Sequence, residues 1–100
     1  MDDRIADLNE KFEEGMTKVT SNPEQSFKTG KLICKISDEF KLEHSMAKGH
    51  LLQAYSGFFL GIHDRAFESV NIALPIFIKY EDKKNQAASY NTLGFIYNYF

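Results

Sequence analysis

The sequence predicts an all-α fold, an α-α superhelix of about five helices stacked as antiparallel helical hairpins. Apolar residues recur at steps of three and four along most of the chain, which is the spacing of one face of a helix. Turn-forming residues interrupt these stretches, as at Asn22-Pro23 and at Gly61. The chain also repeats itself at an offset of forty residues, and a period of this length is typical of stacked helical repeats.

The forty-residue period is visible at positions that the helical spacing assigns to the core. The identical pairs are Phe27 with Phe67, Ile36 with Ile76, and Ala47 with Ala87. Two unrelated amphipathic helices share a periodicity, so chance similarity is the alternative interpretation. The predicted loops also line up at this offset, which favours a true repeat.

The first hairpin is predicted over residues 3–40. Asp2 or Asp3 can cap its first helix, because a carboxylate accepts hydrogen bonds from the amides at a helix start. The apolar seam of this helix consists of Ile5, Leu8, Phe12, Met16 and Val19. The second helix starts in Ser21-Asn22-Pro23-Glu24-Gln25, which supplies a cap, a proline at the first helical position and an early acid. This helix is expected to end near Phe40.

Gly30 and Cys34 lie within the second predicted helix. Gly30 weakens a helix by roughly 1 kcal/mol relative to alanine, unless its missing side chain serves a purpose. We expect that purpose to be close contact with a neighbouring helix. Cys34 is the only cysteine, so an internal disulfide is excluded. Its place on the apolar stripe predicts a small buried side chain rather than a reactive thiol.

The second hairpin is predicted over residues 45–80. Ser45 is expected to cap a third helix that runs from Met46 to about Leu60. The apolar residues of this helix occupy more than one stripe: Leu51, Leu52, Ala54, Tyr55, Phe58, Phe59 and Leu60. Such a helix requires cover on both flanks, so we expect it to form the middle layer of the stack.

The fourth and fifth helices complete the predicted series. The chain turns at Gly61, and the fourth helix opens at Asp64, which provides an early negative charge. Pro75 is expected to kink this helix without ending it, because the apolar pattern continues beyond the proline. A solvated connector over residues 81–85 then leads to a lone fifth helix, predicted over residues 86–100.

The fifth helix is apolar along one face and has no predicted hairpin partner. Terminal units of a helical stack normally present a polar outer face. We therefore expect residues 1–100 to be a single domain that is a fragment of a longer protein. An open apolar face also favours self-association through the last helix.

Two segments resemble the signatures of the tetratricopeptide repeat family. The signature of the second helix is similar to Leu60-Gly61-Ile62-His63-Asp64-Arg65-Ala66-Phe67 followed by Ala73-Leu74. The signature of the first helix is similar to Tyr90-Asn91-Thr92-Leu93-Gly94-Phe95-Ile96-Tyr97. The forty-residue spacing resembles the long repeat type of kinesin light chains and of N-terminal regions in bacterial signalling proteins. The middle repeat departs from the pattern at Gln53 and Gly57.

The resemblance implies a binding function. Tetratricopeptide repeats are scaffolds for protein–protein and peptide interaction, and the long type implies the N-terminal regulatory or sensor region of a larger bacterial signalling protein. One alternative is an oligomerisation module. Another is the input domain of a diguanylate cyclase or histidine kinase whose catalytic domain lies beyond residue 100. These expectations follow from the resemblance to a fold alone. The function of a protein depends on the residues of its sites, and one fold can carry many functions.

The resemblance also implies where a partner binds, because the first helix of each hairpin lines the concave surface. The groove residues carried over by register are Lys48, Tyr55, Phe59, Asn91, Phe95 and Asn98, with Lys11, Lys18, Leu51, Phe58 and Tyr99 beside them. The family's clamp for a carboxyl terminus is poorly matched, since Tyr55 and Phe95 replace polar residues. Aromatic rings instead predict an apolar or amphipathic protein or peptide segment as the partner. The alternative is that Phe58, Phe59 and Phe95 belong to the core.

The composition excludes several other classes of function. Twelve basic and fourteen acidic side chains give a net charge of −2 without runs of one sign, so no nucleic-acid partner is expected. No apolar stretch approaches the roughly twenty residues that span a bilayer. We therefore expect a cytoplasmic protein without a membrane partner. The histidines, the cysteine and the glycines lack the spacing of metal, cofactor or catalytic sites, so none of these is predicted within the chain.

Overall fold

The computed structural model describes residues 3–99 and contains five helices in this range. They are α1 (Asp3–Thr17), α2 (Pro23–Glu39), α3 (Glu43–Phe59), α4 (His63–Lys79) and α5 (Lys83–Tyr99). The described residues contain no strand, and consecutive helices pack against each other. The predicted all-α fold of stacked antiparallel hairpins is therefore confirmed. Asp2, expected as a cap, and Phe100, expected in the last helix, lie outside the described residues.

The helices are nearly uniform in length and spacing. The first has 15 residues and each of the others has 17. They begin at positions 3, 23, 43, 63 and 83, so the forty-residue period of the sequence corresponds to two helix–turn units. None of the helices in this described range has both the length and the apolar character needed to cross a bilayer.

Three connections share one turn geometry, the Schellman motif. The residue after the C-cap has a positive φ in each: Lys41 (58°), Gly61 (81°) and Glu81 (55°). The next amide donates to the carbonyl five residues earlier: Leu42 to Ser37 at 2.8 Å, Ile62 to Gly57 at 3.0 Å, and Asp82 to Phe77 at 2.9 Å. Each turn therefore satisfies the last carbonyls of one helix and starts the next helix within three residues.

Two predicted helix starts are wrong because these turns are so short. The third helix begins at Glu43 and not at Met46, and Ser45 is buried inside its first turn instead of capping it. The fifth helix begins at Lys83 and not near residue 86. In the other connections the prediction is closer: Asn22 accepts a hydrogen bond from the Gln25 amide at 3.2 Å, which confirms the cap of α2.

The centre of the stack is α3, which contacts each of the other four helices. Its buried residues lie on several sides: Ser45, Ala47, Gly49, Leu51, Leu52, Gln53, Ala54, Ser56 and Gly57. Several of these are small, so neighbouring helices can approach closely. The prediction that the third helix forms the middle layer is therefore confirmed.

Two clusters of buried apolar side chains join the layers. The larger cluster links α1 to α4 through Leu8, Phe12, Val19, Ile33, Ala47, Leu51, Leu52, Ala73 and Phe77. The smaller cluster links α3, α4 and α5 through Ala54, Ala66, Val70 and Ile96. As predicted, α4 continues without a break through Pro75, so its two halves contribute to one packed layer.

Candidate functional site

A groove lies between α1, α3 and α5, which run parallel to one another because successive helices alternate in direction. Its walls are Met16 of α1, Tyr55 of α3, and Ala88, Asn91, Thr92 and Phe95 of α5. They enclose about 200 Å³. Thr92 is buried beneath, where its hydroxyl donates to the Ala88 carbonyl at 2.9 Å. The walls are mostly apolar, and the exposed amide of Asn91 lies beside them. Such a site suits an apolar side chain that has a polar group close to it.

Four rings form an aromatic cluster at one end of the groove: Tyr55, Phe58, Phe59 and Phe95. The rings of Tyr55 and Phe95 stack with centroids 6.3 Å apart and planes 14° from parallel. Phe59 meets Tyr55 edge-on at 5.5 Å. Although these rings support one another, Phe59 and Phe95 still expose 44% and 43% of their surface. The cluster is therefore anchored in the core by Tyr55 and Phe58 and partly exposed at Phe59 and Phe95.

Lys48 lies towards the other end of α3, about two helical turns from Tyr55. Its ammonium donates to Asn9 Oδ1 at 2.8 Å and lies 6.0 Å from the centroid of the Phe12 ring. Burial lowers the pKa of Lys48, while the charges of Asp82 and Glu13 oppose that shift. Lys48 also lines a second hollow of about 390 Å³, together with Ile5, Asn9, Lys41, Leu42, Glu43, His44, Ser45 and Tyr80.

The structure brings some of the predicted groove residues together and separates others. Tyr55, Phe59 and Phe95 meet in the aromatic cluster, and Asn91 lies exposed in the groove one turn before Phe95. Asn98 is exposed on α5, and within residues 3–99 it lines neither the groove nor the hollow at Lys48. A role of these residues in binding stays a prediction.

Three of the other residues assigned by register do not belong to the groove. Leu51 is fully buried and forms part of the larger core cluster. Lys11 and Lys18 line a separate hollow between α1 and α2. Both lysines pair with carboxylates one turn away on α1: Lys11 with Asp7 at 3.2 Å and Lys18 with Glu14 at 3.0 Å. These pairs follow the usual helical spacing of four residues.

One polar network beside the hollow at Lys48 was not predicted from the sequence. His44 Nε2 lies 2.7 Å from Asp82 Oδ2, and the His44 ring stacks on Tyr80 with centroids 4.8 Å apart. Asp82 also accepts hydrogen bonds from the amide of Asn85 at 3.1 Å and from its side chain at 2.8 Å. Burial raises the pKa of Asp82, but the hydrogen bonds from Asn85 and His44 outweigh it and the pKa is lowered.

The His44–Asp82 contact ties the start of α3 to the start of α5, the two helices that carry the aromatic cluster. The spacing from Asp82 to Asn85 is a helix-cap pattern that the sequence does display. The pairing with His44, 38 residues away, has no sequence signal.

The remaining reactive side chain is Cys34, on α2. Burial raises the pKa of its thiol to about 11, and a hydrogen bond from Gln53 opposes that shift. Gln53 Nε2 donates to the sulfur at 3.2 Å. Within residues 3–99, no three His, Cys, Asp or Glu side chains gather in a group that could hold a metal ion. The groove presents the rings of Tyr55 and Phe95 beside the amide of Asn91.

The resemblance to tetratricopeptide repeats depends on the start of α4 and on the middle of α5. In the structure, the two helices that carry these segments, α4 and α5, both contact α3. Comparisons of the chain with protein-family models, with curated proteins and with solved structures find no match.

Proposed function

We propose that the chain is a scaffold for protein–protein interaction, and that its groove binds a short apolar or amphipathic peptide segment. The observation that carries this proposal is the stacked pair Tyr55 and Phe95, which opens onto the groove with exposed Phe59 beside it. Aromatic side chains that are held rigidly and left partly exposed are the residues that dominate binding energy at protein interfaces.

The size of the groove favours a peptide side chain over a small molecule. Sites for drug-sized ligands enclose about 300–1,000 Å³, whereas this groove encloses about 200 Å³. That volume suits one large apolar side chain, held between the ring of Phe95 and the side chain of Met16. The rest of the segment would lie along the surface between α3 and α5.

Polar groups on either side of the groove can fix the orientation of the segment. Asn91 lies in the groove, where its amide can pair with a peptide backbone. Asn98 lies further along the same helix. Lys48 is roughly 10 Å from Tyr55 along α3, which an extended segment covers in about three residues. We therefore expect a partner in which an acidic or polar residue lies three or four positions from an apolar anchor.

The proposal can be tested with a phage-displayed library of random peptides selected on the wild-type chain. One selected peptide is then labelled with fluorescein, and its affinity for variants is measured by fluorescence polarisation. Phe95→Ala and Phe59→Ala remove rings that are partly exposed, and each should weaken binding about tenfold or more. Phe40→Ala is the matched control, because Phe40, the C-cap residue of α2, exposes a similar 41% of its surface outside the groove.

The helical content of each variant is compared by circular dichroism, so that a loss of binding is scored only for folded protein. The proposal is supported if Phe95→Ala and Phe59→Ala lose affinity while Phe40→Ala keeps it. It is wrong if selected peptides bind all three variants equally, or if repeated selections on the wild-type chain recover no peptide.

A further inference from the structure

The outer face of α5 is formed by Ala87, Tyr90, Gly94 and Tyr97, which follow one another at steps of three and four. All four residues are exposed, and Tyr90 and Tyr97 leave 56% and 61% of their surface open. A Cβ added at Gly94 would meet no atom of residues 3–99 within 4 Å. This face therefore presents the exposed rings of Tyr90 and Tyr97, and Gly94 between them has no side chain.

The corresponding face of α3, forty residues earlier, is covered by a helix. Ala54 and Gly57 occupy the positions of Gly94 and Tyr97, and both are buried. Ala54 packs in the cluster of Ala66 and Val70, and a Cβ at Gly57 would lie 3.6 Å from the Cβ of Ala66 on α4. Because α4 runs antiparallel to α3, the repeat shows that this face accepts an antiparallel helix.

The charge pattern identifies the helix that can cover the face on α5. From residue 85 to residue 99 the chain has no charged side chain, so the outer face of α5 is uncharged. The exposed sides of the other outer helices carry charges, such as Glu10 on α1, Lys31 on α2 and Glu68 on α4. Burying a charged side chain against tyrosines would be unfavourable, because the side chain would lose its hydration and gain no opposite charge. The surface of this chain that matches the face is the same face of a second copy.

The face is also nearly symmetric about Gly94. Tyr90 lies four residues before the glycine and Tyr97 lies three residues after it. If two antiparallel helices cross at their glycines, each Tyr90 meets Tyr97 of the second copy, and the missing side chains let the helix axes approach closely. Such a contact uses the same patch on both copies, as a closed twofold dimer requires.

We propose that the chain forms a twofold dimer in which α5 packs antiparallel against α5 of a second copy, crossing at Gly94. Aromatic side chains bury about 150–250 Å² each, so Tyr90 and Tyr97 together offer roughly 250 Å² per copy at their exposed fractions. Specific interfaces begin near 1,000 Å² in total, and the rings of two copies supply about half of that. We therefore expect a weak dimer, with the remaining area from flanking residues such as Ala87.

The dimer is independent of the proposed binding groove. Thr92 and Phe95 line the groove on a different side of α5 from Tyr90 and Gly94. Either site can therefore be present without the other, and a variant on the outer face leaves the groove residues unchanged.

Sedimentation velocity over a range of concentrations from micromolar to near millimolar tests the proposal. The wild-type chain should show a reversible monomer–dimer equilibrium. Gly94→Glu places two like charges at the twofold axis, and Tyr97→Glu charges the partner of Tyr90, so each should weaken the dimer about tenfold or more. Ile72→Glu is the matched control, because Ile72 is 49% exposed on α4, away from this face, and should leave the equilibrium unchanged.

Cysteine cross-linking in a Cys34→Ala background tests the orientation of the helices. A short bismaleimide should link Gly94→Cys to itself, and should link Tyr90→Cys to Tyr97→Cys but not to itself. A chain that stays monomeric at the highest concentration overturns the proposal. So does a dimer that Gly94→Glu leaves intact, a dimer that Ile72→Glu weakens equally, or a Tyr90→Cys protein that links to itself as a parallel pair would.

Discussion

Gly30 of α2 and Gly49 of α3 press their backbones against each other. A Cβ added to either glycine would lie 2.9 Å from the carbonyl oxygen of the other. The same hypothetical Cβ at Gly49 would lie 2.6 Å from the sulfur of Cys34. The predicted close contact at Gly30 is therefore confirmed. Its partner was not predicted, because a glycine within a helix does not indicate which neighbour approaches it.

Gly30→Ala should destabilise the protein. The added methyl group meets a backbone oxygen that cannot move aside, and overpacking of this kind costs about 1–3 kcal/mol. The gain in helix propensity, about 1 kcal/mol, offsets only part of that cost. Urea unfolding followed by circular dichroism at low protein concentration measures the difference.

The matched control is Gly94→Ala, in α5. Space around Gly94 is open among residues 3–99, so the gain in helix propensity should appear alone and stabilise the monomer by up to about 1 kcal/mol. If Gly30→Ala were as stable as the wild-type chain, the prediction would be wrong. That result would mean that α2 and α3 move apart to accept the methyl group without a loss of stability.

The turn residues Lys41 and Glu81 show why a sequence pattern predicts that a helix is present better than it predicts where the helix begins and ends. Gly61 was predicted as a turn because glycine tolerates a positive φ. Lys41 and Glu81 adopt the same conformation at equivalent positions, with φ of 58° and 55°. Their residue types give no signal for it. The predicted connectors were consequently too long, and the starts of α3 and α5 were placed too late.

Lys41→Gly and Glu81→Gly should each stabilise the fold by about 1 kcal/mol, because glycine relieves the strain of the left-handed conformation. Gly61→Ala should destabilise it by a similar amount, about 1 kcal/mol, since it introduces that strain. Thermal unfolding of the three variants checks these signs. A loss of stability in both glycine variants would show that the native side chains contribute more than the strain costs.

Cys34 should react slowly with Ellman's reagent while the protein is folded. Only the thiolate reacts, and burial raises the pKa of this thiol from 9.0 to about 11. Below pH 9 the fraction of Cys34 present as thiolate should therefore be about 100-fold smaller than that of an ordinary cysteine. The same chain unfolded in urea is the control and should react at the ordinary rate. Similar rates in both states would contradict the partly buried position of Cys34.

The aromatic part of the candidate site could be predicted because it follows from the repeat. Residues 55 and 95 are separated by the forty-residue period, so Tyr55 and Phe95 lie at equivalent places on parallel helices and their rings stack. The positions of Lys11 and Lys18 could not be predicted in this way, although α1 and α3 also begin forty residues apart. Both lysines pair with carboxylates, Asp7 and Glu14, and the positions on α3 equivalent to these carboxylates are alanines. The repeat therefore gives no signal for these ion pairs.

Acid should destabilise the fold through His50, which lies half-buried on α3. Its Nδ1 atom is buried and has no hydrogen-bond partner within residues 3–99, and burial lowers its pKa below 6.5. The unfolded chain therefore binds this proton more readily, so stability is full above pH 6.5 and falls as the pH drops below it. Between neutral pH and about pH 5, the urea midpoint of unfolding should therefore fall less in the His50→Gln variant than in the wild-type chain. Because His44 and Asp82 are unchanged in both proteins, the difference isolates His50, and identical pH profiles would contradict the prediction.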